Sequence, residues 1–474
     1  MAKLALPMLA SVIISEMLRD ARFWLVVIVA LVLRLVPWCF GLAHPERYLW
    51  GSEGTDTYQY HYIATNLVKH RAYSTWPMVS YVICPNPYDC AETASLSDPD
   101  PDRTPGYPLF LSLIYWPTNC SLPAAGFLQA LLSALTVALV FVIGERMGGR
   151  RAGFLAGLVL ACEPSSFLMA SGIMAETLFA FLLTLSLLLL LNLRERPSLR
   201  AGILAGAVSA LATLTKPTSL YLFPLLFLGI ALLRVARRAW RPALGLATAL
   251  CVYLTGVGLW YLRNYTEFGV PELTSIQGYT LMRFHYAPTR GRIEGKGFLA
   301  MDSVVVREMA GILAEADSNP MLAARLMAKR SVDYIIRHPA DYALVYLKGL
   351  PRTLMPAINT SYIITGKWVH ADIYVRLASE GFPALREELS ELWRSARASL
   401  LLWIPQALLL LAIYLAFAVG ACRGRKNPPV IIALLYLAYL VLLPGPGSVA
   451  RFRVAWAPFV AIVAGAALAR KSEK

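Results

Sequence analysis

Charge is the scarcest property of this chain. Of its 474 residues only 15% are Asp, Glu, Lys or Arg, where a soluble domain carries about a quarter. Together with 57% hydrophobic residues and a mean hydropathy of +0.56, that scarcity excludes a soluble globular protein. Acids are scarcer than bases, 29 against 44. No Walker loop occurs. The nearest glycine pattern, Gly256-Val257-Gly258, lacks its third glycine and lies in an apolar run, so it reads as packing. No basic-side loop is large enough for a nucleotide-binding domain, so no nucleotide cofactor is expected. Neither an internal repeat nor a symmetric pair of broken helices of the transporter kind stands out. The start lacks a small-residue cleavage site and leads into a long apolar run, so no cleavable signal peptide is expected. Cysteines number only seven. Cys84, Cys90 and Cys120 fall in the polar loops opposite the basic side, where Cys84 to Cys90 is the shortest closure for a bridge.

What the chain does have is apolar runs long enough for a ~30 Å hydrocarbon core. They lie near 23–43, 125–143, 152–171, 173–192, 201–214, 218–233, 242–261, 398–420, 428–444 and 454–469. The expectation is an all-α polytopic membrane protein of about 10–12 transmembrane helices. Nearly all of the net charge of +15 sits in segments 1–22, 145–151, 194–200, 234–241, 421–427 and 470–474. Alternating spans put these six on one side. The excess is therefore the positive-inside signature of a cytoplasmic face, not a nucleic-acid footprint. The other side carries the long loops 44–124 and 262–397 and all six histidines, His44, His61, His70, His285, His338 and His370. Four regions follow: a cytoplasmic segment 1–22, a transmembrane module 23–261 including loop 44–124, a large extracytoplasmic loop 262–397 with interfacial helices, and C-terminal helices 398–474.

The stretch 51–74, GSEGTDTYQYHYIATNLVKHRAYS, gathers acids, hydroxyls and aromatics directly after the first apolar run. Tyr60, Ile63, Ala64 and Leu67 recur at helical spacing, which predicts an amphipathic helix on a membrane or bundle surface. Asp56 at its start suits either a helix cap or a carboxylate held ready to take a proton. Further along the same side come Glu53, Arg103, Glu176, Lys216, Arg263, Arg451 and Arg453. Carboxylates and cations within reach of lipid headgroups are what transfer from a lipid phosphate needs: a base for the acceptor, and positive charge for the departing phosphate. The plain alternatives are that Glu176 is a helix N-terminal charge and that the cations snorkel to headgroups. Arg34, inside the first run, is expected to face the bundle interior. A divalent metal ion stays open as a cofactor, although His61 and His70, nine apart, would stand more than ~13 Å from each other on a helix.

Four stretches carry a resemblance: Asp56-x-Tyr58 with Ile63-Ala64-x-Asn66-Leu67, Arg103-Thr104-Pro105-Gly106-Tyr107-Pro108-Leu109-Phe110-Leu111, Ala175-Glu176-Thr177-Leu178-Phe179, and Arg451-Phe452-Arg453-Val454 with Pro458. In this order and topology the chain resembles the GT-C superfamily of polyprenyl-phosphate-sugar-dependent glycosyltransferases, in the branch of protein O-mannosyltransferases and aminoarabinose transferases. The resemblance implies an inverting transferase on the extracytoplasmic face of the plasma membrane. Its donor would be a polyprenyl-phosphate sugar and its acceptor a lipid, glycan or protein. Asp56 would then be the catalytic base, with Glu53 and Glu176 as further acids. Arg103, Tyr107, Lys216, Arg263, Arg451 and Arg453 would hold substrate. A non-catalytic scaffold of the same fold and a lipid-linked-sugar flippase remain the alternative classes.

Overall fold

A computed structural model describes residues 19–44, 55–75, 99–236, 238–356, 386, 390, 393–394, 397–447 and 449–468. Glu53, Cys84, Cys90 and His370 lie outside the described residues. The protein is 84% helical with no strands among the described residues, which settles the all-α class. Among the described residues, seven helical stretches are long and apolar enough to cross a membrane: Ala21–Ala43, Leu122–Gly148, Glu176–Glu195, Pro217–Ala236, Pro242–Phe268, Trp403–Gly424 and Ala450–Leu468. Leu199–Thr215 and Pro428–Leu442 are shorter apolar helices. In chain order we label Ala21–Ala43 α1, Thr55–His70 α2, Gly106–Thr118 α3, Leu122–Gly148 α4, Arg150–Cys162 α5, Pro164–Leu168 α6, Glu176–Glu195 α7 and Leu199–Thr215 α8.

The expected span 152–171 divides into α5 and α6, and the reason is local. Pro164 has no N–H to continue the α5 ladder. Glu163 turns out of the helix and accepts from the backbone N–H of Ser165 (3.2 Å) and Ser166 (2.6 Å), capping α6. The carbonyls orphaned at the end of α5 need donors in an apolar interior. Arg34, fully buried on α1, supplies them, donating to Ala161 O (3.2 Å), Leu160 O (3.3 Å) and Ser133 Oγ (2.7 Å). The intramembrane cation is therefore part of the bundle's framework.

After α8 come Leu222–Ala236 (α9), Trp240–Phe268 (α10), Ile276–Thr280 (α11), a π-helical turn Leu281–Tyr286, Ala287–Ile293 (α12), Phe298–Glu315 (α13), Pro320–Arg337 (α14) and Pro339–Gly349 (α15). The chain closes with Arg397–Gly424 (α16), Pro428–Leu442 (α17) and Arg453–Leu468 (α18). Small residues let the long helices meet. A Cβ on Gly202 or Gly206 of α8 would lie 2.4 Å from the Gly245 or Ala249 carbonyl of α10, the spacing by which apolar helices approach in lipid. Gly256 likewise faces Ala210 on α8, as expected of a packing glycine. Outward, Leu25, Ile28, Val32, Leu225, Leu232, Leu408 and Leu415 stay exposed, a surface suited to acyl chains and not to water. Helices α11–α15 form an annex with its own small core, including Met282, Met301, Val305, Met309, Ile312 and Met327.

Candidate active site

At one end of the bundle, five separate segments bring their charges to a single network. Asp56 stands in the first turn of α2, where the macrodipole favours a carboxylate. One carboxylate oxygen takes a hydrogen bond from Arg103 Nη2, and the other takes one from Arg451 Nη2 at 2.7 Å. Arg451 Nε lies 3.7 Å from Glu176 Oε1, and Lys216 Nζ donates to the same oxygen at 2.6 Å. Glu176 opens α7, Lys216 follows the last residue of α8, and Arg451 lies in the short turn Ala450–Phe452 that leads into α18. Three bases and two acids are thus joined, leaving one net positive charge. Phe452 lies beneath this charge, with Lys216 Nζ at 4.5 Å and the Arg451 guanidinium at 5.6 Å from its ring.

Arg103 is the hinge of the arrangement. It is only 7% exposed, so its remaining donors need partners: Nε donates to Gln59 Oε1 at 2.8 Å, and the guanidinium lies 4.8 Å over the Tyr60 ring. Gln59 in turn donates to Asp102 Oδ2 at 3.0 Å. Asp102 is held by the Ser275 hydroxyl, and its carbonyl by that of Thr274, just before α11. The loop itself is shaped by Asp100, whose Oδ1 accepts from the N–H of Asp102 (3.1 Å) and Arg103 (2.7 Å). Gly106 is demanded by proximity. A Cβ there would come 2.6 Å from Thr215 N, one residue before Lys216.

Electrostatics set the protonation states. Burial pushes the Asp56 carboxyl up, but the Arg103 and Arg451 guanidiniums outweigh it and hold it well below the usual carboxylate range. Burial acts in the opposite sense on Arg103, and Asp56 more than compensates, so the guanidinium stays charged. Burial raises the Tyr60 phenol to about 12. Asp100 is raised well above normal by burial and by the neighbouring Asp102 charge.

Of the residues singled out from sequence, Asp56, Arg103, Glu176, Lys216 and Arg451 come together, and Tyr107 lines their flank. Its ring meets Tyr60 edge-on at 4.7 Å, and its hydroxyl donates to Gln129 at 3.2 Å. Arg453 goes elsewhere. It is 1% exposed, pairs with Glu163 at 2.6 Å and donates to Met355 O at 2.7 Å, so it closes the interior as a structural ion pair. Arg263 donates to the Asp100 carbonyl (2.9 Å) and sits among Tyr73, Trp260 and Phe268. It supports the Asp100 loop from behind. Gln59 and Asp102 are not among the residues singled out from sequence, and Tyr60 is there only as part of the helical pattern. Gln59 and Tyr60 lie three and four residues after Asp56, on its helical face, and that spacing was the available signal. Nothing local marks Thr274 or Ser275.

No group of three His, Cys, Asp or Glu side chains suited to a metal forms among the described residues. Both Asp56 oxygens face guanidiniums. His61 is hydrogen-bonded to Tyr115 (2.9 Å) and His285 to Tyr342 (3.0 Å), each far from a shared centre. Burial lowers both imidazoles to about 4, with Lys69 adding to the effect at His61. Among the described residues, neither Asp56 nor these two histidines offers a free donor set for a divalent ion.

The family described as dolichyl-phosphate-mannose-protein mannosyltransferase matches residues 102–261. No curated protein sequence matches the chain. Among solved structures, the oligosaccharyltransferase AglB of Archaeoglobus fulgidus, in complex with an inhibitory peptide and a dolichol-phosphate, is similar at 13% identity and a TM-score of 0.48. That alignment covers 94% of this chain and 49% of the archaeal one, so the chain spans about half the length of that protein. ArnT from Cupriavidus metallidurans, bound to undecaprenyl phosphate, is similar at 16% identity and a TM-score of 0.40, covering 95% of this chain and 79% of ArnT. The segment similar to the mannosyltransferase family contains Arg103, Glu176 and Lys216, three members of the charge network, so that likeness falls on the site itself.

Proposed function

We propose that this protein is an inverting glycosyltransferase that moves a sugar from a polyprenyl-phosphate donor to a lipid, glycan or protein acceptor on the extracytoplasmic face of the plasma membrane. One observation carries the reading: Asp56 is gripped from both sides by Arg103 and Arg451 at the end of the bundle opposite the basic loops. An exposed surface pair would be worth little, but here the cations are 7% and 15% exposed and converge on one carboxylate.

Donor phosphate and Asp56 compete for the same guanidiniums. A phosphate entering beside Arg451 and Lys216 finds planar donors suited to its oxygens, and in taking them it releases one oxygen of Asp56. The freed carboxylate then faces less positive charge and becomes a better base. In the reaction the acceptor hydroxyl or amine gives its proton to Asp56 while its oxygen or nitrogen bonds to the anomeric carbon. The bond from that carbon to the phosphate oxygen breaks, and polyprenyl phosphate leaves with the electron pair, its charge met by Arg103, Arg451 and Lys216. Attack opposite the leaving group inverts the anomeric configuration. Glu176 fixes Lys216 and Arg451 and takes no proton. The test is sugar release by the reconstituted protein from a panel of polyprenyl-phosphate sugars, comparing wild type with Asp56→Asn and Arg451→Ala. Loss of turnover in both on the accepted donor supports the reading, and no release from any donor by wild type opposes it.

A further inference from the structure

The annex contains a cavity of about 430 Å³ between α13 and α14, lined by Tyr286, Glu315, Lys329, Arg330, Tyr334 and Arg337 among others. Its size is that of a small-molecule site, which typically spans ~300–1,000 Å³. Its chemistry differs from that of the surface around it. Elsewhere in the annex many charges are paired: Arg283 with Asp302, Arg290 with Glu294 and Glu308, Arg292 with Asp341, Lys296 with Glu294, and Arg325 with Glu272. Around the cavity Lys329, Arg330 and Arg337 form no ion pair with Glu315 or Asp333 among the described residues. Lys329 and Arg337 nonetheless stand four residues either side of Asp333 on the same helix, a spacing that ordinarily pairs. Two tyrosines floor the site, Tyr286 and Tyr334, with ring centroids 4.9 Å apart. Tyr286 ends the π-helical turn, a local widening often found where a helix serves a site.

We infer that this cavity binds an acidic saccharide, as the part of the acceptor that lies away from the transferred sugar. The half-buried Tyr334 ring, backed edge-on by the buried Tyr286, suits the C–H face of a pyranose. The three cations suit a uronate or phosphate substituent, and Glu315 and Asp333 can accept sugar hydroxyls. An acidic peptide would use the cations but has no such supply of hydroxyl donors for the two carboxylates. The cavity is also tied to the charge network. Ser275 holds Asp102, and the helical segment from Ser275 to Tyr286 runs directly to the cavity wall, roughly 16 Å at ~1.5 Å per residue. An oligosaccharide of a few units spans that distance. The acceptor role rests on the transferase reading, whereas the binding does not.

The experiment uses the full chain in nanodiscs of zwitterionic lipid, with tetragalacturonate, maltotetraose and tetraglutamate as probes in a calorimetric titration at low salt. Tetragalacturonate should bind at least tenfold tighter than either of the others. Combined Lys329→Ala and Arg330→Ala should weaken it tenfold or more, and Tyr334→Ala about threefold. The three alanine substitutions are at surface or half-buried positions, and a matched melting curve identifies any folding effect. Absence of binding by wild type, equal binding of maltotetraose or tetraglutamate, or an unchanged affinity in the double variant overturns the assignment. Failure of the transferase reading would show differently, as full turnover in Asp56→Asn with saccharide binding intact.

Discussion

Replacing Asp56 with Asn is the sharpest perturbation of the site, because it removes one charge and almost no volume. The amide can still occupy the first turn of α2, since Asn is tolerated at a helix start about as well as Asp. It cannot take an acceptor proton, and loss of a positioned general base costs ~10² to 10⁴ in rate, equivalent to about 2.7–5.5 kcal/mol of barrier. The structure adds a second consequence that shape alone conceals. Arg103 and Arg451 would face a neutral amide where each now meets a carboxylate oxygen, at 7% and 15% exposure. Breaking a buried pair by removing one partner costs about 3–5 kcal/mol, and the open side of this site puts the expected loss at or below the low end. Asp56→Asn should therefore melt at a lower temperature and yet bind donor at least as well, because the guanidiniums are released for phosphate. The assay pairs single-turnover sugar transfer with donor titration and a melting curve on the same preparation. More than about a tenth of wild-type turnover in a folded Asp56→Asn protein would refute the assignment of the base, and weaker donor binding would refute the competition between carboxylate and phosphate.

Arg451→Ala removes one of the three charges that depress Asp56, so the Asp56 pKa rises; the acid limb of kcat/KM should move to higher pH, with donor affinity falling at least tenfold, both read from a pH series of initial rates. Arg453→Ala should do the reverse of what its place beside Arg451 suggests: it strands the buried Glu163, which costs about 3–5 kcal/mol, so the melting temperature drops sharply while the donor KM of surviving protein is unchanged. His61 and His285 are held neutral down to about pH 4 against an ordinary value near 6.5, so the unfolded chain binds more protons between those limits. Stability should consequently fall as pH drops from about 6.5 toward 4, and His285→Gln should flatten part of that slope in melting curves. Exhaustive chelation should leave transfer unaltered, and a metal-restored loss of activity would contradict the reading of the donor set.

How much of this was legible in the sequence depends on the range of each interaction. Helix content, the apolar runs and the helix over 55–70 follow from periodicity and hydropathy, which are local. The break at Glu163 was readable in part: a Glu before Pro164 and two serines is a helix start by itself, yet the apolar run 152–171 masked it. Arg451 and Arg453 show where local reading stops. Two residues apart and identical in type, they point to different sides of the chain as it enters α18. One meets Asp56 and Glu176, and the other meets Glu163. Sequence gives no means to choose between them, because the choice is made by partners 275 or more positions away. The same holds for Asp102, whose Ser275 partner is separated by 173 residues. What decides the site is therefore the packing of α7, α8 and α18 around the loop 99–106. This explains why five charges scattered through the chain form one network while, of two others equally prominent in the sequence, Arg263 backs the Asp100 loop and Arg453 closes the interior with Glu163.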